Sequence, residues 1–131
     1  MKKAFVLLNH TLTQNQIMEL EKKYGVSQII YPEKELSQKW SQIPATENFD
    51  LDTIQSILQW LSFAQENDVL IIQGEFGSTF MIVDYSLKNK LVPVHAVTKR
   101  VSKESREGEV VHREYIFEHV CFRKYKYFEK T

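Results

Sequence analysis

The residues whose side chains could take part in chemistry follow apolar runs that are typical of buried β-strands. An imidazole can shuttle a proton near neutral pH, and lysine and arginine side chains can stabilise negative charge on phosphate oxygens. These residue types predict a site that holds or cleaves a phosphate ester, although solvated strand ends would carry the same types. One group follows the first apolar run and the other follows the fourth: Asn9, His10 and Thr11, and Thr98, Lys99 and Arg100.

A third group lies in a glycine-containing turn after a buried apolar run. Glycine permits close backbone approach, and we expect Ser78 and Thr79 to open a helix whose unpaired amides and dipole favour an anion. Only two glycines are present and no Gly-Lys-Ser/Thr follows, so the turn matches neither the dinucleotide fingerprint nor a Walker loop. A tight turn capped by Ser78 is the structural alternative. The segment comprises Gln73, Gly74, Glu75, Phe76, Gly77, Ser78 and Thr79.

Two further candidates, His119 and Arg123, lie in the last β-rich stretch. The period of two predicts that both share one face of a strand, and we favour a structural pair over a catalytic one. Cys121 is the single cysteine, and its position in a strand is unlike that of a reactive nucleophile. No Cys/His spacing typical of a metal site is present. We therefore predict neither a metal nor a cofactor.

The elements that must position these groups alternate between strand and helix. Residues 4–8 predict a strand, followed by a helix with Thr13 as N-cap, Gln16 in a capping box and Gly25 as its stop. Residues 26–31 predict a second strand, and residues 33–48 have no clear assignment. Asp50 or Asp52 caps a helix whose apolar positions are Leu51, Ile54, Leu58, Leu61 and Ala64.

The second half predicts a buried strand at residues 69–72, a helix at 80–87 and a strand at 91–97. Pro93 inside that strand implies an edge or an irregular ladder. A turn at Glu107-Gly108 predicts a β-hairpin that returns antiparallel to the fourth strand. The expected fold is a single α/β domain over residues 1–131, with a Rossmann-like, mostly parallel sheet, helices on both faces and a C-terminal antiparallel hairpin. Ligands of such sheets bind at the carboxyl ends of the strands.

Composition narrows the class of protein. The 131 residues are 43% hydrophobic and 26% charged, with zero formal net charge, which argues against binding to long nucleic acid. Residues 1–97 carry 8 basic and 11 acidic side chains, whereas residues 98–131 carry 9 and 6. The N-terminal apolar run is too short for a secretory signal. One cysteine and no span-length apolar segment predict a cytoplasmic protein without membrane contact.

The segments together resemble a known family. The strand end Leu8-Asn9-His10-Thr11-Leu12-Thr13, the stretch from Asp68 to Gly77, the element Thr98-Lys99-Arg100 and the tail from Phe117 to Tyr125 are similar to the small stand-alone proteins of the CARF superfamily that accompany type III CRISPR systems. The likeness spans nearly the whole chain, although each motif is short. It implies a CARF-like, Rossmann-like domain that forms a homodimer and binds a cyclic oligoadenylate across the two-fold axis.

The resemblance also implies an activity. Some members of that group are metal-independent ring nucleases, which would make this chain a phosphodiesterase that cleaves cyclic tetra-adenylate and switches off antiviral signalling. On this hypothesis Gly77, Ser78 and Thr79 hold phosphate, Lys99 and Arg100 stabilise the transition state, and His10 moves a proton. Two alternatives stay open. One is a protein that binds the messenger without cleaving it, and the other is an interaction protein that binds no nucleotide.

Overall fold

The structure, a computed structural model, describes residues 1–129. Over these residues, four helices surround one five-stranded sheet in a mixed α/β fold. The elements in chain order are β1 (Lys2–Leu7), α1 (Gln14–Tyr24), β2 (Val26–Ile30), α2 (Lys34–Ser41), α3 (Leu51–Leu61), β3 (Val69–Ile72), α4 (Phe76–Lys88), β4 (Val92–Glu107) and β5 (Val110–Lys124).

The sheet has the strand order β2-β1-β3-β4-β5. The first four strands are mutually parallel, with β1 paired to β3 from Ala4–Val69 through Leu7–Ile72. The last strand, β5, is antiparallel to β4. The predicted mostly parallel sheet with a C-terminal antiparallel hairpin is therefore confirmed.

Both faces of the sheet are covered. The paired residues of β1 and β3 are all apolar and buried, which is typical of strands with helices on both sides. On one face, which we call the α1 side, Leu20 of α1 packs against alternate strand residues. On the other face, the α4 side, Ile57 of α3 and Ile82 of α4 pack against the intervening ones. The strand residues on the α1 side are Ala4, Val6, Val69, Ile71 and Val94, and those on the α4 side are Phe5, Leu7, Leu70 and Ile72.

The helix caps follow the sequence closely. Thr13 and Gln16 form the predicted capping box of α1, and Gly25 ends that helix in the left-handed region with φ 71°. Asp50 caps α3 by accepting from the Thr53 amide at 3.3 Å. The expected apolar face of α3 needs one correction. Leu51 is exposed while Ile57, which the 3- and 4-residue steps had skipped, is fully buried.

The unassigned stretch contains helix α2, which buries Trp40. The helix after the glycine turn begins at Phe76 rather than at residue 80, so residues 76–79 of the segment expected to be a turn are already helical. Pro93 does not mark an edge, because β4 pairs with β3 on one side and β5 on the other. Beside Pro93 the ladder with β5 is reduced to a bond from the Tyr125 amide to the Pro93 carbonyl, 2.9 Å.

The hairpin continues well past the rest of the sheet. The last β3–β4 pair is Ile71–Val94, yet β4 and β5 remain paired to Glu107–Val110. We call residues 99–107 and 110–118 the arm; nine residues of strand span about 30 Å. Every arm residue is exposed except Val101 and Ile116, which are half-buried. The register shifts between Val97 and Thr98, where β5 carries Val120 as an extra, bulged residue.

A buried carboxylate joins the starts of β1 and β3. Asp68 accepts from the Lys3 amide at 3.0 Å and from the Gln65 amide at 2.8 Å, and the Lys3 ammonium lies 3.7 Å away. Buried carboxylates need such donors, because desolvation of the charge is otherwise costly. Within residues 1–129, no helix is both long and apolar enough to cross a membrane.

Candidate functional site

The sheet has a topological switch point between β1 and β3. From β1 the chain runs to α1 on one face, and from β3 it runs to α4 on the other face. The two loops therefore part at the carboxyl ends of neighbouring strands and leave a crevice, which is where ligands of open α/β sheets bind. Asn9, His10 and Thr11 lie on one side of it, and Gln73 and Glu75 on the other.

His10 is exposed, and one of its ring nitrogens contacts the backbone. Its Nδ1 lies 2.9 Å from the Thr11 carbonyl oxygen. Because a carbonyl can only accept, Nδ1 carries the proton in this contact, and Nε2 of the neutral ring keeps its lone pair. A cavity of about 190 Å³ adjoins the ring and is lined by Leu8, Asn9, Thr11, Tyr31 and Pro32 among others. An imidazole in this state is suited to accept a proton from a bound hydroxyl group.

The start of α4 is already occupied by an anion of the protein itself. Glu75 is the N-cap, and its carboxylate accepts from the Gly77 amide at 2.6 Å, the Ser78 amide at 3.1 Å and the Ser78 hydroxyl at 2.8 Å. These bonds, with the Gly77 amide first, hold the pKa of Glu75 below its ordinary value. The expectation that the first amides of this helix are free for a phosphate is therefore wrong.

The two glycines of the turn make room for aromatic rings. A Cβ on Gly74 would collide with the Trp40 indole, and a Cβ on Gly77 would collide with the Phe49 ring. The Trp40 Nε1 also donates to the Gln73 carbonyl at 3.1 Å. Close approach was correctly expected here, but the approaching groups are side chains of α2 and of the loop that follows it.

The remaining groups of the turn divide between surface and core. Gln73 is exposed, and its side-chain oxygen accepts from the Ala96 amide of β4 at 2.8 Å. Ser78 and Thr79 are buried, and within residues 1–129 the Thr79 hydroxyl has no hydrogen-bond partner. Phe76 is 92% exposed. Of the residues predicted to hold a ligand at this turn, only Gln73, Glu75 and Phe76 therefore present an exposed side chain.

Thr98, Lys99 and Arg100 do not end a strand, because β4 continues to Glu107. Thr98 pairs with His119 on the α1 side, so the alternation of the strand places Arg100 on that side and Lys99 on the α4 side. Arg100 lies over the Tyr115 ring at 4.5 Å, and Lys99 is 3.9 Å from Glu118. The two side chains therefore lie on opposite faces of the strand, which corrects the prediction that Lys99 and Arg100 both stabilise one transition state.

His119 and Arg123 also lie on opposite faces, contrary to the expected period of two. The bulge at Val120 breaks the alternation, so His119 faces α1 while Arg123 pairs with His95 on the α4 side. His119 contacts Glu19 through Nε2 at 2.7 Å and the Gln16 amide nitrogen through Nδ1 at 3.3 Å. The Gln16 oxygen already accepts from Thr13, so its amide nitrogen is the donor toward Nδ1, and Nε2 donates to Glu19. Both ring nitrogens are engaged, which makes His119 a structural residue.

Sequence reasoning missed a second cluster at this edge of the sheet. Arg123 Nε donates to His95 Nε2 at 3.2 Å, and the His95 ring packs on Tyr125 at 4.8 Å. Burial, followed by the charge of Arg123, lowers the pKa of His95. Tyr125 donates to the Ile72 carbonyl at 2.8 Å, and burial raises its pKa. Only the cross-strand pairing of residues 95 and 123 would have revealed this cluster, and a single sequence does not give that pairing.

Two other residues that shape the site were not singled out. Trp40 covers Gly74, and Tyr31 lines the cavity beside His10 and accepts from the Leu12 amide at 3.2 Å. Leu36 and Trp40 stand four residues apart, a helical spacing that marks their shared face. In the part of the chain that the structure describes, no three His, Cys, Asp or Glu side chains converge as metal ligands would.

The fold defines an open-sheet α/β protein with a small cavity at the carboxyl ends of β1 and β2, beside its switch point. Comparison with known proteins shows that the chain belongs to the MJ1673 family, since the model described as "Uncharacterized protein MJ1673 family" matches residues 2–123. The chain is similar to the uncharacterized protein MJ1673 of Methanocaldococcus jannaschii, at 36% identity over 131 residues, which covers 95% of this chain and 98% of the relative. No solved structure matches it. Neither match mentions the CARF superfamily or CRISPR, so that resemblance stays a prediction.

Proposed function

We propose that this protein binds a cyclic oligoadenylate, of the cyclic tetra-adenylate type, at the carboxyl edge of its sheet and opens the ring. The activity would end type III CRISPR signalling in the cytoplasm, with two copies of the chain sharing one ring. In the reaction a ribose 2′-oxygen attacks the adjacent phosphorus and the bond from phosphorus to the 5′-oxygen breaks. The 2′-hydroxyl proton leaves to a base, the 5′-oxygen gains a proton, and the product is a linear oligoadenylate with a 2′,3′-cyclic phosphate.

The observation that carries this proposal is the state of His10. Its Nδ1 is tied to the Thr11 carbonyl, which leaves Nε2 as an exposed proton acceptor beside a cavity between the carboxyl ends of β1 and β2, on the β2 side of the switch point. The cavity, about 190 Å³, is below the ~300–1,000 Å³ of sites for whole drug-sized ligands. It suits one sugar or base of a larger ligand whose remainder lies over the edge of the sheet. Asn9 and Thr11 supply polar groups at its rim.

The occupied cap of α4 changes how phosphate would be held. The Glu75 carboxylate repels a phosphate at the first amides of α4 but can accept from a ribose hydroxyl, which is a donor. Phosphate contact then falls to the polar side chains of the β1 loop and to Thr98 with one cation of the arm. Arg100 suits this role better than Lys99, which is paired with Glu118.

The test is incubation of the purified protein with cyclic tetra-adenylate in EDTA, followed by separation of the products. We expect a linear product with a 2′,3′-cyclic phosphate. His10→Ala should lower the cleavage rate ~100-fold or more while binding persists, since a positioned proton acceptor contributes ~10²–10⁴-fold. His112→Ala is the matched control, because this histidine is exposed on the arm away from the crevice. Equal cleavage by the wild type and His10→Ala would contradict the proposal.

A second candidate is binding without cleavage. The separation of Lys99 and Arg100 onto opposite faces and the capped amides of α4 reduce the groups able to stabilise a pentacovalent phosphate. Tight binding of the intact ring, with no product in the same assay, would favour this candidate. No thermal shift with any cyclic oligoadenylate would contradict both.

A further inference from the structure

An exposed aromatic patch lies at the start of α4. Phe76 and Phe80 are 92% and 74% exposed and stand four residues apart, so they share one side of the helix. Phe49 is half-exposed and lies against Gly77, next to them. Clustered exposed rings of this kind are uncommon on monomeric proteins unless they form a binding surface. We call Phe49, Phe76 and Phe80 the aromatic patch.

The border of the aromatic patch is acidic. Residues 43–50 and Glu75 line a cleft of about 240 Å³, and its lining contains three carboxylates but no lysine or arginine. The Glu75 carboxylate is fixed at the helix start, and its lowered pKa keeps it charged at neutral pH. A partner for this surface must therefore combine apolar area with positive charge. The three carboxylates belong to Glu47, Asp50 and Glu75.

The arm carries a surface of that chemistry on its α1 side. The pairing of β4 with β5 places Arg100 opposite Phe117 and Glu104 opposite Arg113 on this side. Phe117 is 72% exposed. An isolated two-stranded ribbon is marginally stable in water, so an arm of about 30 Å gains from a surface to pack on. The exposed residues of this side with apolar or positive character are Arg100, Arg106, Val111, Arg113, Tyr115 and Phe117.

The two surfaces cannot readily meet within one chain. At its base, where His119 contacts α1, the arginine-rich side of the arm faces the α1 side of the sheet. The aromatic patch belongs to α4, which packs on the other face through Ile82. Surfaces that are complementary but lie on opposite sides of one molecule pair between copies. The assembly closes as a two-fold dimer, and not as an open chain, when each copy gives its arm to the other.

We propose that two copies of this chain exchange arms, the arginine-rich side of each arm packing on the aromatic patch of the other copy. Phe117 and Tyr115 meet the phenylalanine rings, and the arginines meet the acidic border. The charge division of the chain agrees with this, since residues 1–97 have an excess of acidic side chains and residues 98–131 an excess of basic ones. The dimer does not depend on a ligand, so this inference can hold without the proposed activity, whereas a monomeric protein would also remove the shared ring of the proposed function.

The test uses two variants of the full chain and sedimentation analysis without nucleotide. In the arm variant Arg100→Glu and Arg113→Glu reverse the charge of the arm, and in the patch variant Phe76→Ser and Phe80→Ser remove exposed rings. We expect the wild type to be a dimer and each variant alone to be a monomer. An equimolar mixture of the two variants should regain a heterodimer, weaker than the wild-type dimer, because the intact arm of the patch variant meets the intact patch of the arm variant in one of the two contacts.

Phe63→Ser is the matched control. Phe63 is 74% exposed, like Phe80, but it follows α3 near Lys3, at the opposite edge of the sheet. This variant should remain a dimer. Since all substituted side chains are exposed, circular dichroism should show each variant folded. A monomeric wild type overturns the proposal, as does a dimer of either variant alone or a mixture that stays monomeric.

Discussion

Glu75 places a fixed negative charge where many α/β proteins bind the phosphate of a ligand. Its carboxylate accepts three hydrogen bonds from Gly77 and Ser78 and satisfies amides that would otherwise face the solvent. A phosphate at this position would have to displace an anion that is covalently part of the turn. Any ligand of the crevice must therefore present a hydroxyl or another donor to this residue.

Replacing Glu75 by Gln should destabilise the protein at neutral pH and have little effect in acid. The pKa of Glu75 lies below its ordinary value of 4.5 in the folded chain. Its contribution to stability is therefore present above that value and is lost as the pH falls through the lower, folded-state pKa. Denaturant midpoints of the wild type and Glu75→Gln should differ at pH 7 and converge as the pH is lowered below 4.5.

Glu21→Gln is the control for this measurement, because Glu21 is exposed on α1. Its midpoint should follow the wild type at every pH. A constant difference between the wild type and Glu75→Gln across the whole pH range would show that the charge of Glu75 does not act through the cap.

At the scale of the element, the packing of Phe49 on Gly77 decides how α4 begins. At an exposed helix position alanine is more stable than glycine by up to about 1 kcal/mol. Here, however, a Cβ on Gly77 would collide with the Phe49 ring. Gly77→Ala should therefore gain less stability in the wild type, where the end of the half-exposed Phe49 ring has to move aside. In a Phe49→Ala background the same substitution should stabilise by several tenths to about 1 kcal/mol.

Denaturant unfolding of the four proteins in this cycle measures the coupling between the two residues. Phe49→Ala alone serves as the reference for the second background. An equal Gly77→Ala effect in both backgrounds would mean that the ring does not influence the preference for glycine.

The elements also show what a single sequence can predict. The order of strands and helices along the chain, the capping box of α1 and the hairpin were predicted, because they depend on neighbours along the chain. The missed features depend on distant partners. The bulge at Val120 reverses the expected faces of the tail, and helix α2 is short and polar except where Leu36 and Trp40 meet the core.

At the scale of the whole molecule, the site was harder to predict than the fold. The sequence indicated that His10 and the glycine turn lie at one edge of the sheet, as they do. It could not indicate that the Glu75 carboxylate turns back onto its own helix. The opposite faces of Lys99 and Arg100 follow from strand alternation once β4 extends past residue 97. Residue types at strand ends suggest chemistry, whereas the partners of those residues are fixed by tertiary contacts.

Arm exchange should alter the sensitivity of the arm to trypsin. Arg106 and Arg113 flank the hairpin turn and are exposed in the single chain. If the arm packs on a second copy, cleavage at these residues should be slow in the wild type and several-fold faster in the Phe76→Ser, Phe80→Ser variant. Mass spectrometry of timed digests identifies the sites. The Phe63→Ser variant should be cut at the wild-type rate, and equal rates in all three proteins would argue against a covered arm.

The contact between Lys3 and Asp68 has a consequence for the order of folding. It joins residues 65 positions apart, and the β1–β3 pairing beside it spans the same distance along the chain. The β4–β5 ladder instead grows from a tight turn, so each new pair closes only a short loop. Hairpins form in ~1–10 μs. Pairing of parallel strands that are distant in sequence is slower, because the entropy of closing the long loop is lost before any contact is gained. The arm should therefore be formed early, and the crevice between β1 and β3 should be completed last.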